Sequence, residues 1–259
     1  RRRAQFAPVI EALEAKGLPY EVVGLGGLLG TSEVVDIVAL LTVVQEAVAA
    51  RGRADLSLTG GSMGSAVVGA LSGHPLRLLV DWTRVHVWWG DERYLPAGDP
   101  DRNDVQNDAA GLRLLGLLPE HVHRVAGPDA SASPEVSAAA YETTLREHGG
   151  GEWDVVLLGV GPDGHVASLF PGHPAQLLDD ALAVAVHDSP KPPPTRVSLT
   201  TGCLSRAREV WFVVAGEDKA EAVAKGVAGA PAGESSAARV RARGRTLWLV
   251  DEAAASRRP

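Results

Sequence analysis

Along this chain, short apolar runs rich in β-branched residues alternate with stretches whose apolar residues recur at helical spacing. The runs at 20–24, 55–59, 85–89, 153–159, 182–186, 196–199, 209–215 and 246–250 predict strands, with a short one at 122–125. Helices are predicted over 32–50, 63–71, 103–117, 134–147 and 219–228. Thr31 or Ser32 suits the first N-cap with Glu33 in the first turn, and Ser133 precedes a first-turn Pro134. In the second helix Ala66, Val67, Ala70 and Leu71 form the apolar face. Residues 94–103 and 188–195 are loops, the latter stiffened by Pro192, Pro193 and Pro194.

Strands alternating with helices predict an α/β fold: an open, mostly parallel Rossmann-like sheet with helices on both faces. WDVVLLG at 153–159 is almost wholly apolar, as a strand buried on both faces should be. There is no fixed repeat.

Composition narrows this little. The 259 residues are 45% hydrophobic and 22% charged, as in ordinary globular proteins. The net charge of −7 argues against a nucleic-acid partner. Cys203 is the single cysteine, so no intrachain disulfide forms, and a reducing, cytoplasmic location is expected. No run is long and apolar enough to span a membrane, and charges interrupt the N-terminal apolar stretch, so no secretory signal is expected.

In open α/β sheets ligands bind beyond the carboxyl ends of the strands, so the chemistry is sought just after each run. Gly60-Gly61-Ser62-Met63-Gly64 follows the strand at 55–59. It fits G-x-S-x-G, a nucleophile elbow, and equally a glycine-rich loop that holds an anion at a helix N-terminus. A serine hydrolase would also need an acid and a histidine, for which Asp154 and His187 are candidates. Asp91, Glu92 and Arg93 follow the strand at 85–89. After 153–159 comes GVGPDGH, with Gly161 and Gly164 beside His165, before residues 166–170 return to helical periodicity. His165 is the candidate acid–base group, because imidazole exchanges protons near neutral pH. Its alternative, a capping or solvated histidine, loses ground because the glycines let a ligand approach the backbone. Lys191 and Arg196 bracket the proline run and are candidate phosphate clamps. His86 is assigned to packing, and His173 to the rim of the pocket. His121 and His123 lack partners at metal-ligand spacing, so no metal is expected.

LSLTGGS at 56–62, VHVWWGDERYLPAGDPDRN at 85–103, WDVVLLGVGPDGHVASLFPGHPA at 153–175, SPKPPPTRVSLT at 189–200 and TLWLVDEAAA at 246–255 together resemble the 6-phosphogluconolactonases. These belong to the glucosamine-6-phosphate isomerase/deaminase-like superfamily. The resemblance covers about 46–259, and Ser168-Leu169-Phe170-Pro171 stands where the deaminases carry an Asn-Glu-Pro element.

The resemblance implies hydrolysis of a phosphorylated sugar lactone, 6-phospho-D-glucono-1,5-lactone, in the oxidative pentose phosphate pathway, without metal or cofactor. His165 would be general base, Asp163 would orient it, and N–H groups of the glycine loop would receive the oxyanion. Gly60, Gly61 and Ser62 would hold the phosphate with Arg93, Lys191 and Arg196, while Asp91 would meet sugar hydroxyls or pair with Arg93. A monomer or weak homodimer is expected. A deaminase or isomerase of the superfamily, or a sugar-phosphate sensor that has lost catalysis, are the alternatives. TGCLS at 201–205 departs from the family, which usually has a proline and then an asparagine there, and this would weaken activity if it shapes the pocket.

Residues 1–45 do not fit that pattern and resemble part of a UvrD-like DNA helicase, so a join is expected near 43–46, with 20–24 filling a missing strand. No G-x-x-x-x-G-K-[ST] occurs, so helicase activity does not follow.

Overall fold

The computed structural model describes residues 31–149 and 152–257. The strand expected at 20–24 lies outside them. The first described element is α1 (Thr31–Arg51), whose Ile37, Leu40, Leu41, Val44 and Ala47 are buried at i, i+3, i+4, i+7 spacing. This helix passes residue 45 without interruption.

The central sheet holds β1 (Ala54–Leu58), β2 (Val85–Trp89), β4 (Val155–Leu158), β7 (Glu209–Val214) and β8 (Arg245–Val250). Their order is β2-β1-β4-β7-β8, and every pairing is parallel. Alternation along β4 feeds two cores. Val155 and Leu157 pack with α1 and with α2 (Gly61–Gly73). Val156 and Leu158 pack on the other face with Tyr141 and Leu145 of α4 (Pro134–Glu147).

The edge strand β2 is blunted by side chains. The Tyr141 hydroxyl accepts from the Trp89 N–H at 2.9 Å and donates to the Trp89 carbonyl at 3.0 Å. Beyond it, the strand expected at 122–125 contributes one bridge, Val87 to Val122.

A second sheet, absent from the sequence reading as a separate layer, is antiparallel: β3 (Asp91–Arg93), β6 (Arg196–Leu199) and β5 (Ala183–Val186), in that order. Asp91-Glu92-Arg93, expected only to follow a strand, is therefore a strand itself. The helix expected over 103–117 stops early as α3 (Asn103–Ala110), because Gly111 takes a left-handed φ of 118° and caps it. The buried face of α2 is Gly64, Val68, Leu71 and Ser72 rather than the expected 66, 67, 70, 71. Gly64 sets this rotation: a Cβ there would meet the Thr59 carbonyl oxygen at 2.0 Å, so only glycine lets the helix lie this close to the end of β1. Residues 166–170 are not helical but form a tight turn, with a bridge between Val166 and Leu169 and a φ of 49° at Ala167. The remaining helices are short α5 (Thr201–Leu204) and α6 (Ala220–Ala228).

Candidate active site

The order β2-β1-β4 places a switch point at the ends of β1 and β4, where an open parallel sheet leaves a crevice. A cavity of about 320 Å³ lies there, large enough for a small sugar phosphate. Gly60, Gly61, Ser62, Asp91, Arg93, Gly161, His165, Lys191 and Arg196 all line it. Four strand ends, at β1, β3, β4 and β7, thus converge on one hollow.

Gly60 is the N-cap of α2, and Gly61 has a φ of 71°. The first turn opens to the cavity, so the helix dipole favours an anion there. Ser62 lies in that turn, and its φ is not among the positive values. The triad candidates are not assembled. Asp154 precedes β4, at the opposite end of the sheet, where it accepts from the Asp55 N–H at 2.9 Å. His187 is exposed and paired with Glu135 at 2.5 Å. The G-x-S-x-G match is a helix start, and Gly64 belongs to packing.

Strand alternation splits Asp91-Glu92-Arg93 between two tasks. Asp91 and Arg93 face the cavity. Glu92 is buried on the other side, accepting from the N–H groups of Arg93 (2.8 Å), Asn103 (2.7 Å) and Asp104 (2.9 Å), and so caps α3. Asp91 does not pair with Arg93 as expected. Its carboxylate accepts from Ser168 Oγ at 2.6 Å and Asn103 Nδ2 at 3.2 Å, with Arg196 Nη1 at 3.8 Å. Arg93 Nη1 donates to the Asp101 carbonyl at 2.6 Å, while its Nε is buried with no partner among the described residues.

In the histidine loop the Gly161 N–H donates to the His165 carbonyl and the Gly164 N–H to the Gly161 carbonyl, both at 2.9 Å. These two N–H groups are committed within the loop, so an oxyanion would have to be met by other donors. Gly161 is dictated by contact, since a Cβ would fall 2.1 Å from the His165 ring. Gly164 does not line the cavity; it turns the chain with a φ of 83° under the backbone of Glu234 and Ser235. His165 Nδ1 is bonded to Asp163 Oδ1 at 2.5 Å, and the ring packs on Phe170 at 4.5 Å between centroids. Burial works against ionisation of Asp163, yet the hydrogen bond and charge of His165, with the charge of Lys191, hold its carboxyl down to about 2. A carboxylate accepting from Nδ1–H fixes the tautomer that leaves a lone pair on Nε2.

Lys191 is carried by a loop wrapped around Arg196, and burial lowers its pKa. Arg196 holds that loop through the carbonyls of Pro193 (3.1 Å), Lys191 (3.1 Å) and Pro192 (3.2 Å).

Asn103 and Lys219 are among the lining residues not singled out in the sequence. Asn103 ends PDRN, and Lys219 follows β7 in GEDK, paired with Asp218 at 2.9 Å. The carboxyl-end rule that picked out the other loops also reaches Lys219. The cavity wall thus carries four cationic side chains, Arg93, Lys191, Arg196 and Lys219, against one carboxylate, Asp91, in a chain of net charge −7.

The other candidates lie elsewhere. His173 caps a turn through the Ala175 N–H, not the pocket rim. His86 Nδ1 and His123 Nε2 are 2.9 Å apart, with His121 stacked on His86. Among the described residues no His, Cys, Asp and Glu side chains are grouped to hold a metal ion. TGCLS forms α5 and its C-cap, with Cys203 buried, its thiol pushed up to about 12 by burial, and none of it lines the cavity.

A profile of the glucosamine-6-phosphate isomerases/6-phosphogluconolactonase family matches residues 35–248. The chain belongs to that family. A 6-phosphogluconolactonase of Streptomyces coelicolor is 48% identical over 229 residues, covering 85% of this chain and 88% of that protein. One from Mycobacterium tuberculosis is 42% identical over 227 residues, covering 85% and 91%. The solved 6-phosphogluconolactonase of Thermotoga maritima superposes with a TM-score of 0.74 at 25% identity, covering 86% of this chain and 96% of that one. The family match begins inside α1, upstream of residue 46.

Proposed function

We propose that the chain hydrolyses 6-phospho-D-glucono-1,5-lactone to 6-phospho-D-gluconate, with His165 as general base. The observation that carries this reading is a histidine oriented by Asp163 at 2.5 Å on the wall of a cavity whose other walls bear four cations. The first turn of α2 and those cations suit a phosphate dianion, and the sugar lactone then spans the cavity toward His165.

His165 Nε2 takes a proton from water as the water oxygen bonds to the lactone C1. Negative charge moves to the carbonyl oxygen, where N–H groups of the glycine loop other than those of Gly161 and Gly164 would receive it. Collapse re-forms the carbonyl and breaks the bond between C1 and the ring oxygen, which recovers the proton from His165. Proton and electron pairs balance through one histidine, and no covalent enzyme intermediate forms.

We place the reaction in the oxidative pentose phosphate pathway and the chain in the cytoplasm, which its single cysteine suits. No described helix is long and apolar enough to cross a membrane. We read the chain as a monomer or weak homodimer whose cations serve a sugar phosphate rather than a nucleic acid. The helicase-like stretch is read as an appended segment that joins the catalytic domain within α1, where the family match begins at residue 35.

The test is a coupled assay of 6-phosphogluconate formation. His165→Ala should lose about 10²–10⁴-fold in kcat while 6-phosphogluconate still binds. Unchanged turnover would remove His165 from the mechanism.

A further inference from the structure

Ser168 has no role in the reaction as written above, yet its hydroxyl sits at the junction of three elements of the site. It is fully buried at the tight turn after His165. Its Oγ donates to Asp91 Oδ2 on β3 at 2.6 Å and accepts from Arg196 Nη1 on β6 at 3.5 Å. Its own N–H donates to Ser198 Oγ at 3.2 Å. The direct Arg196–Asp91 contact is 3.8 Å, beyond a hydrogen bond, so the serine hydroxyl is what joins the two charges.

Counting donors shows what this does to Arg196. A guanidinium has five N–H groups. Nε is spent on the Pro193 carbonyl and Nη2 on those of Lys191 and Pro192. One N–H of Nη1 goes to Ser168, which leaves one, on a residue that lines the cavity. The Phe170 ring, 5.8 Å from the guanidinium carbon, backs it from one side.

We propose that Ser168 is a positioning residue for phosphate recognition: its hydroxyl bridges Asp91 and Arg196 and so aims the last free N–H of Arg196 at the substrate phosphate. This rests on the reading of Arg196 as a phosphate ligand.

The test compares 6-phosphogluconolactone with glucono-1,5-lactone, which carries no phosphate, in Ser168→Ala, Arg196→Lys and the double variant. Ser168→Ala should raise KM for the phosphorylated lactone about tenfold, the worth of one hydrogen bond to a charged group. Its kcat/KM on the plain lactone should fall by less than about twofold, because uniform loosening of the site is not expected. In the Arg196→Lys background the serine substitution should add nothing to KM. Equal losses on both lactones, or an undiminished serine effect in that background, overturn the proposal. If Arg196→Lys leaves the preference for the phosphorylated lactone intact, the phosphate reading falls and the proposal with it. If that variant erases the preference and Ser168→Ala does not, only the role of Ser168 falls. Should Ser168→Ala lose its fold by circular dichroism, Ser168→Cys carries the same test, because a thiol fills the site but donates and accepts only weakly. An unchanged preference in Ser168→Cys overturns the proposal.

Discussion

A Cβ on Gly60 would fall 1.7 Å from Oδ1 of Asn103. The start of α2 and the start of α3 are therefore in van der Waals contact at the mouth of the cavity, and Asn103 is pinned there by its bonds to the Asp91 carbonyl and carboxylate. Gly60→Ala should displace Asn103 or tilt α2. We expect a loss of activity of about tenfold or more, since small misplacements at a site are costly. The same assay on Gly73→Ala, where a Cβ meets nothing within 4 Å, should read close to the parent. Equal behaviour of the two variants would show that the contact does not shape the site.

Asp163 is ionised throughout the working pH range, its carboxyl held down to about 2, and it is bonded to His165 Nδ1. Asp163→Asn removes that charge and frees the imidazole to adopt the wrong tautomer. The kcat should fall about 10²-fold or more with little change in KM. An Asp163→Asn variant that turns over like the parent would show that this carboxylate does not orient His165.

On the proposed reading, Ser62 offers the substrate an N–H and a hydroxyl at the helix start and is not a nucleophile. Ser62→Ala should raise KM by more than it lowers kcat, since loss of a binding contact shared by ground and transition states acts on KM. A fluorophosphonate probe should leave the protein unmodified at this residue. Stoichiometric labelling of Ser62 would sink this assignment.

Stability should carry an acid signature unrelated to the site. Burial, with the charge of Arg53 adding to it for His86 and the neighbouring His86 for His123, depresses both imidazoles to about 3 from an ordinary 6.5. The unfolded chain binds these protons near 6.5 and the folded chain does not. Their contribution is therefore complete above about pH 6.5 and is lost progressively as pH falls toward 3. Urea midpoints should drop between pH 7.5 and 5, and less so in a His86→Gln variant. Parallel pH dependence in the two proteins would exclude this pair as the cause.

Much of the site is legible in the sequence because a parallel sheet gathers residues that follow its strands. The end of β1 gave Gly60 to Ser62, the end of β4 gave His165, and the same rule reaches Lys219 after β7. Other features were not legible for a common reason: they depend on which side a neighbour lies. Asp91 looks free to pair with Arg93, two residues away, until β6 brings Arg196 and the turn after His165 brings Ser168. The N–H groups of Gly161 and Gly164 look available to a ligand until the loop closes on itself. TGCLS looks like pocket chemistry until α5 places it away from the cavity wall.

By itself the sequence determined the alternation of strands and helices, the buried strand β4, and the glycines and histidine of the loop after it. Those follow from local periodicity and from backbone conformations open mainly to glycine. Only the tertiary structure decided that Asp91–Arg93 forms a strand of a separate antiparallel sheet, that Glu92 caps α3 instead of meeting substrate, and that Ser168 joins Asp91 to Arg196. These are contacts between residues far apart along the chain. Their geometry is set by how two sheets meet, a quantity that no local window of the sequence contains.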